Sequence, residues 1–319
     1  MAKKGIQASG IGGQAVLEGV MMKNKESCAI AVRKPDGEID IEVNEYHGVM
    51  HGSILTKIPF VRGVFNFLDS FILGMRAINH SSAFYEEEDS KDTGFDKFMN
   101  KIFGDKAEKV MSGFIMMLSV LLAVGLFIVL PFYASKILEE HIQSSSLLSL
   151  IEGLVRLVIF LLYIVAITLM KDIRRLYMYH GAEHKCINCL EHGHALTINN
   201  VKRSSRLHKR CGTSFLLFVM IISIILFMFI KVDNNALRPI IRLLLIPVIA
   251  GISYEVIRLA GRTNFFLIKI LSWPGLALQL LTTKEPDDSM IEVAIKSVEG
   301  VFDWKEFLKE NFEDKEAQE

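Results

Sequence analysis

The segment with the highest density of reactive side chains runs from Tyr179 to His194 and reads YHGAEHKCINCLEHGH. It holds four of the nine histidines and two of the four cysteines in the chain. A second segment, HKRCGTSF from His208 to Phe215, adds one more of each. Imidazole and thiolate groups bind transition metals, and imidazoles also transfer protons near neutral pH. These residues therefore predict metal or proton chemistry.

The pentapeptide HGAEH sets His180 and His184 four residues apart, with Glu183 beside the second imidazole. Positions i and i+4 share one face of a helix, so these two imidazoles can bind one zinc ion. The order H-x-x-E-H is that of a zinc hydrolase motif, and the metal lowers the pKa of the water it holds from about 15.7 to about 7. We expect His180 and His184 to be metal ligands and Glu183 to be the general base.

A catalytic zinc usually takes three protein ligands and keeps one position open. His208 is the first candidate for the third ligand, because it lies near the start of a later apolar segment. Cys211, three residues on, and Glu255, near the end of the next apolar segment, are close alternatives. The choice among these three residues stays open at the level of sequence.

The sequence CINC admits other interpretations. Cys186 and Cys189 could form half of a structural zinc site that Cys211 and one histidine complete. A redox pair is less favoured, because no thioredoxin-like βαβ pattern surrounds the two cysteines. A charged loop with incidental histidines remains the alternative to any metal site.

The composition indicates a membrane protein. Lys plus Arg and Asp plus Glu number 36 each, which gives no basic excess that would indicate nucleic acid, and 51% of residues are hydrophobic. The apolar residues concentrate in runs of about twenty, the length that spans a bilayer core of roughly 30 Å. The fold class is therefore mainly α, a polytopic helical membrane protein with about four transmembrane helices, near residues 111–133, 147–170, 213–230 and 237–259.

The distribution of Lys and Arg predicts the orientation of these spans. The loop 171–210 carries nine of them, whereas the links 134–146 and 231–236 carry only Lys136 and Lys231. By the positive-inside rule the basic loop is cytoplasmic, and with four spans both termini are cytoplasmic too. No signal peptide is visible after Lys3 and Lys4. We expect a multi-pass protein of the bacterial plasma membrane, whose cysteines face a reducing compartment.

The segments outside the spans differ in character. Residues 1–52 are β-rich and cytoplasmic, with a hairpin formed by Cys28–Val32, a Pro-Asp-Gly turn and the alternation that follows. The Gly-rich stretch before it lacks the spacing of a phosphate loop and is interpreted as a tight packing element. The remaining regions are an amphipathic helix and charged linker at 53–110, a membrane domain at 111–263, an interfacial or re-entrant segment at 264–282 and an acidic cytoplasmic tail at 283–319.

Three stretches together resemble a known family: GGQAVLEGVMMK at 12–23, YHGAEHK at 179–185 and HKRCGTSF at 208–215. The chain is similar to the YqhQ-like proteins, a bacterial membrane family of unknown function described as a predicted metal-dependent enzyme. The resemblance runs from about residue 10 to about residue 288 and does not depend on the CINC pair. It implies roles for residues that match its motifs, namely His180, Glu183, His184, His208 and Cys211, and directs attention to Gln14 and Glu18.

The leading functional hypothesis is a membrane-embedded zinc hydrolase with its site at the cytoplasmic face. Its substrate would be a lipid or a membrane-proximal peptide, and no nucleic acid is expected. The alternative is a non-enzymatic scaffold that recruits a partner and holds a structural metal or none. A transporter is least favoured, because the spans contain few charges and no inverted repeat is evident.

Overall fold

The computed structural model describes residues 6–85, 107–138, 141–142, 144–230, 237–262 and 266–312. It is mainly helical, with one small antiparallel sheet near the N-terminus. The chain forms two compact units: Met1–Tyr85 with Ile164–Val219 and Leu243–Glu319, and Glu86–Tyr163 with Met220–Arg242.

The sheet has four strands in the order of the chain, β1 (Gly12–Val16), β2 (Gly19–Asn24), β3 (Ser27–Arg33) and β4 (Ile39–Glu45). The predicted hairpin is confirmed as β3 and β4, with Ala31 opposite Ile41. The Gly-rich stretch forms a second hairpin, in which Glu18 takes a positive φ of 50° at the turn. Gly19 permits close strand packing, because a Cβ there would lie 2.3 Å from the Ala31 carbonyl oxygen.

The helices begin after a 3₁₀ turn at Ile54–Lys57. They are α1 (Val61–Ser82), α2 (Ala107–Val124), a π-helical stretch (Gly125–Val129) that leads into α3 (Leu130–Lys136), α4 (Ser145–Thr168), α5 (Lys171–Glu191), α6 (Ile198–Arg203), α7 (Gly212–Phe229), α8 (Leu237–Leu244), α9 (Ile246–Arg262), α10 (Phe266–Thr282), α11 (Asp288–Glu299) and α12 (Trp304–Phe312).

The two faces of the sheet support the two cores of the first unit. On one face, Val20 and Ala31 pack with α5 and α11, through buried residues such as Tyr179 and Met290. On the other face, the sheet packs against Leu73 and other residues of α1, as expected for an amphipathic helix. The charged region 171–210, a loop in the sequence-based prediction, thus begins with helix α5, whose buried residues are Tyr179 and 181–191.

In the part of the chain that the structure describes, three helices are long and apolar enough to cross a membrane. They are Gly113–Lys136, Ser146–Thr168 and Gly212–Phe229, which match the first three predicted spans. The fourth predicted span is divided at Leu245 into α8 and α9. Pro247 explains the division, because proline lacks an N–H and clashes with the carbonyl four residues before it. The predicted interfacial segment is the single helix α10, with Pro274 inside it.

Candidate metal centre

Helix α5 presents His180 and His184 on one face, as their spacing predicts. The preceding helix ends at Thr168, and the extended backbone of Met170 (ψ 131°) starts α5 as a separate helix. The centroids of the two imidazole rings lie 4.4 Å apart. A straight continuation of α4 would place His180 roughly 15 Å beyond the end of the span, whereas the break at Met170 gives α5 a direction of its own.

Backbone carbonyls orient both rings. His180 Nδ1 lies 2.8 Å from the Thr282 carbonyl oxygen, and His184 Nδ1 lies 2.7 Å from that of Arg206. A carbonyl oxygen only accepts, so each Nδ1 carries the hydrogen and each neutral imidazole keeps its Nε2 lone pair free. Histidines that bind metals are commonly held in this way by their second nitrogen.

Cys211 completes the cluster. Its Sγ lies 3.3 Å from His180 Nε2, and the ligand atoms of Cys211, His180 and His184 all lie within 4.8 Å of one another. Thr213 donates its backbone N–H to the sulfur at 3.4 Å, and its hydroxyl oxygen lies 2.9 Å away. His184 and Cys211 are buried and His180 is partly exposed. Two nitrogen donors and one thiolate suit zinc.

The charges of the cluster are coupled. Burial opposes ionisation of the Cys211 thiol, but the adjacent imidazoles lower its pKa well below the usual value. Burial lowers the pKa of His180, yet the Cys211 thiolate outweighs it and raises that pKa to about 9. Without a metal, a proton shared by His180 and Cys211 stabilises the pair as imidazolium and thiolate. A metal ion bound by the same two atoms would replace that proton.

Glu183 lies against this cluster with one oxygen unused. The residue is 4% exposed, and Oε2 is buried without a hydrogen-bond partner among the described residues. Burial raises the pKa of the carboxyl, while His180 and His184 oppose the rise. Strand β1 reaches the carboxyl at Gly13, where a Cβ would lie 2.9 Å from Glu183 Cγ. The Gly-rich stretch is therefore a tight packing element, as predicted from the sequence, and the structure adds that Glu183 is one of the groups it packs against.

The other two candidate ligands lie outside this trio. His208 Nε2 lies 3.5 Å from Glu191 Oε2, and its ring is 5.7 Å from that of His184. Glu255 is held by Arg62, whose Nε and Nη2 both donate to it at 2.6 Å. Glu255 thus has a strong partner elsewhere and His208 lies beside Glu191, and the structure brings Cys211 rather than His208 or Glu255 to the histidine pair.

The CINC pair does not join the centre. Cys186 and Cys189 are fully buried in the main core, and burial raises both thiol pKa values. Cys211 lies instead beside His180, so the alternative of a structural zinc site built on all three cysteines is not supported.

The two residues highlighted by the family resemblance are packing residues in this structure. Glu18 pairs with Arg175 and accepts a hydrogen bond from the Tyr179 hydroxyl at 3.1 Å. Gln14 lies against Gly74 of α1, where a Cβ would come within 2.5 Å of its amide oxygen. Glu18 therefore ties the β1–β2 turn to α5, and Gln14 ties β1 to α1.

A second group of metal-binding side chains lies on the surface. Glu26, His47 and His51 are all exposed, and their ligand atoms lie within 4.8 Å of one another. This group is separate from the buried cluster, so any measurement of bound metal must distinguish the two.

Comparison with known proteins agrees with the resemblance noted from the motifs. A family model described as "Protein of unknown function (DUF1385)" matches residues 58–304. The chain is 38% identical over 288 residues to "Uncharacterized protein YqhQ" of Bacillus subtilis (strain 168), covering 90% of each protein. No solved structure matches the chain. Neither description names a reaction, so the chemistry must be argued from the site.

Proposed function

Because the chain belongs to the DUF1385 family, to which its description assigns no function, we propose an activity from the site itself: a metal-dependent hydrolase at the membrane. The observation that carries the proposal is the trio of His180, His184 and Cys211, whose ligand atoms lie within 4.8 Å of one another. Two backbone carbonyls direct the free nitrogens of both imidazoles away from their anchors. Hydrogen bonds of this kind fix the tautomer and ring orientation of histidines that bind metals.

The donor set fits zinc, which three protein ligands hold in catalytic sites. A bound zinc ion would lower the pKa of water and so supply a nucleophile near neutral pH. Glu183 would accept the proton of that water, because its buried Oε2 has no hydrogen-bond partner among the described residues. Burial holds the pKa of this carboxyl above its ordinary value, and a general base works best when its pKa approaches the working pH.

The location of the trio supports a substrate that resides in the membrane. Cys211 immediately precedes Gly212, the first residue of a helix able to span a bilayer. The Thr282 carbonyl that anchors His180 belongs to the last residue of the apolar helix α10. A lipid or a membrane-proximal peptide can reach such a site without leaving the interface. The Lys- and Arg-rich segment that contains α5 supports a cytoplasmic location of this face, by the positive-inside rule.

One observation favours a second function, a scaffold with a structural metal. His184 is 1% and Cys211 is 5% exposed, and structural zinc sites are closed whereas catalytic sites keep an open position. In that case, the metal would fasten α5 to the start of α7, and the folded cytoplasmic face would recruit a partner. Glu183 separates the two functions, because hydrolysis needs a base and a structural site needs only ligands.

The first experiment measures metal in detergent-purified protein without an affinity tag of histidines. We expect about one zinc per chain in the buried centre, lost in His180→Ala/His184→Ala. The matched control, His47→Ala/His51→Ala, removes two histidines from the exposed group and leaves this zinc in place. Absence of metal from the wild type after zinc reconstitution, or its retention in the first variant, contradicts a metal centre.

The second experiment separates the hydrolase from the scaffold. Glu183→Gln keeps the shape of the side chain and removes its basicity, so we expect metal content and thermal stability to remain. Hydrolysis in a screen of membrane lipids and peptides should fall by at least a hundredfold. Loss of metal in Glu183→Gln would make Glu183 a ligand. Wild-type turnover that the substitution leaves unchanged would contradict its role as base.

A further inference from the structure

The second unit buries an ionisable cluster in and beside its apolar helices. Glu152 of α4 has a side chain that is 1% exposed, and Arg156 of the same helix is 12% exposed. Arg242 of α8 joins them at 10% exposure. Charged groups at membrane depth cost free energy, so they persist where they pair with one another or bind a ligand. None of these residues belongs to the metal centre.

The internal pairing leaves hydrogen-bonding groups unused. Arg156 Nη2 donates to Glu152 Oε1 at 3.1 Å, and Arg242 Nη1 donates to the same oxygen. Glu152 Oε2 and Arg156 Nε are buried with no hydrogen-bond partner in the described part of the chain. The ring of Phe227 lies beside both guanidinium groups, 5.8 Å from Arg156 Cζ and 4.9 Å from Arg242 Cζ. Among the described residues, the cluster thus keeps one buried acceptor, Glu152 Oε2, and one buried donor, Arg156 Nε, without a partner.

Among the described residues, the charges of this cluster do not balance. Two guanidinium groups and one carboxylate sum to +1, and an unneutralised charge is costly in an apolar environment. A ligand of charge −1 would balance the cluster. A phosphate diester has that charge, and guanidinium groups bind phosphate oxygens in a planar, bidentate manner. Glu152 Oε2 requires a donor as well, which a hydroxyl on the same ligand would provide.

The depth of the cluster suits a lipid headgroup. Ser146 donates its hydroxyl to the Met228 carbonyl at 2.9 Å, which joins the start of α4 to the end of α7. Glu152 lies six residues beyond Ser146, about 9 Å along the helix. Long arginine side chains reach from this depth towards the interface. We propose that Glu152, Arg156 and Arg242 bind the headgroup of an anionic phospholipid that carries both a phosphate and a free hydroxyl, as phosphatidylglycerol does.

Charge and donor count distinguish this ligand from other phospholipids. A phosphatidylethanolamine headgroup is neutral overall and leaves the +1 charge of the cluster unbalanced. Phosphatidylcholine is also neutral and has no donor for Glu152. Phosphatidylmethanol has the charge of phosphatidylglycerol without the hydroxyl groups, so it isolates the contribution of the Glu152 contact.

The test uses the full chain in detergent with lipids of identical acyl chains, and counts retained lipids by native mass spectrometry in pairwise competition. We expect wild type to retain phosphatidylglycerol at least tenfold over phosphatidylethanolamine, and to prefer it over phosphatidylmethanol. Arg156→Gln should lose the preference for phosphatidylglycerol over phosphatidylethanolamine. Glu152→Gln should keep that preference and lose the preference for phosphatidylglycerol over phosphatidylmethanol. Lys136→Gln, which removes an exposed positive charge from the same unit, should behave as wild type.

Two results would overturn the proposal. Wild type that retains the lipids without preference would make the cluster a purely internal ion-pair network, and this result needs no variant to fold. An equal loss of preference in Lys136→Gln and Arg156→Gln would assign lipid selection to general surface charge. The measurement is independent of the metal centre, so it does not depend on the proposed hydrolase.

Discussion

At the residue scale, the role of Cys211 depends on whether a proton or a metal ion lies between its sulfur and His180 Nε2. The two atoms are 3.3 Å apart, close enough to share a proton. Thiolate is the form that binds zinc, and the neighbouring imidazoles already lower the pKa of Cys211 well below its usual value. Cys211 is therefore already in the form that binds zinc, and metal binding would displace the proton that His180 holds.

Cys211→Ser should reduce zinc affinity by at least tenfold, because a neutral hydroxyl replaces a thiolate ligand. The measurement is a competition with a zinc chelator of known affinity. Cys186→Ala is the matched control, since Cys186 is a fully buried thiol of the main core and should leave zinc affinity unchanged. An equal loss in both variants would indicate damage to the fold rather than loss of a ligand.

Glu191 makes stability depend on pH. Burial raises its pKa, but His208, Arg210 and the Ser9 N–H outweigh that effect and lower the pKa from 4.5 to about 2. A lowered carboxyl pKa contributes stability above the unfolded value. That contribution, on the order of 3 kcal/mol, is lost as the pH falls from about 4.5 to about 2.

Glu191→Gln should therefore have a lower Tm than wild type at pH 7, and the two values should converge as the pH falls through this range. Thermal unfolding in detergent at a series of pH values measures the difference. A gap that stays constant from pH 7 to pH 3 would show that the carboxylate charge contributes nothing.

At the scale of elements, the contact between α5 and the segment after α10 sets the position of His180. Lys284 donates its N–H to the Tyr177 carbonyl at 2.8 Å, and Thr282 anchors the His180 ring. Gly181 permits this approach, because a Cβ there would lie 2.0 Å from the Lys284 carbonyl oxygen. The glycine inside HGAEH is thus a packing requirement for the metal centre.

Gly181→Ala should destabilise the protein by about 3 kcal/mol or more, since the new methyl group meets backbone rather than a flexible side chain. Zinc content should fall with Tm, because α5 must move away from Thr282. Gly113→Ala provides the control, with no atom within 4 Å of the added Cβ and a helix propensity gain of about 1 kcal/mol. A Gly181→Ala protein with wild-type Tm and zinc would contradict the close contact.

At the scale of the whole molecule, the shared core limits how the chain can cross a membrane. The sheet, α5 and α11 contribute to one hydrophobic core, so all three lie on the same side. Two candidate spans lie between β4 and α5, and an even number of crossings leaves both on the same side. A single candidate span, Gly212–Phe229, lies between α5 and α11, and an odd number would leave them on opposite sides. If all three candidate spans cross the membrane, we expect the chain to return between Phe229 and Asp288. We expect this crossing to be made either by α8 with α9, the predicted fourth span, or by α10, and not by both.

Single cysteines introduced at exposed positions test this topology with a membrane-impermeant maleimide. In intact cells, His141→Cys should be labelled, whereas Asp36→Cys and Glu310→Cys should react only after permeabilisation. The native cysteines are buried and give little background. Labelling of Asp36→Cys and Glu310→Cys on opposite sides would contradict the shared core, and labelling of both from outside would reverse the orientation.

The sequence by itself determined the local features of the structure, which depend on residues that are close together in the chain. Apolar runs of bilayer length predicted the three candidate spans, the Pro-Asp-Gly turn predicted the β3–β4 hairpin, and the i, i+4 spacing predicted the His180–His184 pair. Each of these features depends only on residues that are close together in the chain. Helix and strand geometry fixes which of these near neighbours share a face.

The tertiary structure decided the partners that come from distant parts of the chain. Cys211, and not His208 or Glu255, meets the histidine pair, because Glu191 binds His208 and Arg62 binds Glu255. Strand β1 reaches Glu183 at Gly13, about 170 residues away along the chain. The sequence contains several side chains that could serve as the third ligand. Only the packing of whole elements determines which of them lies beside the histidine pair.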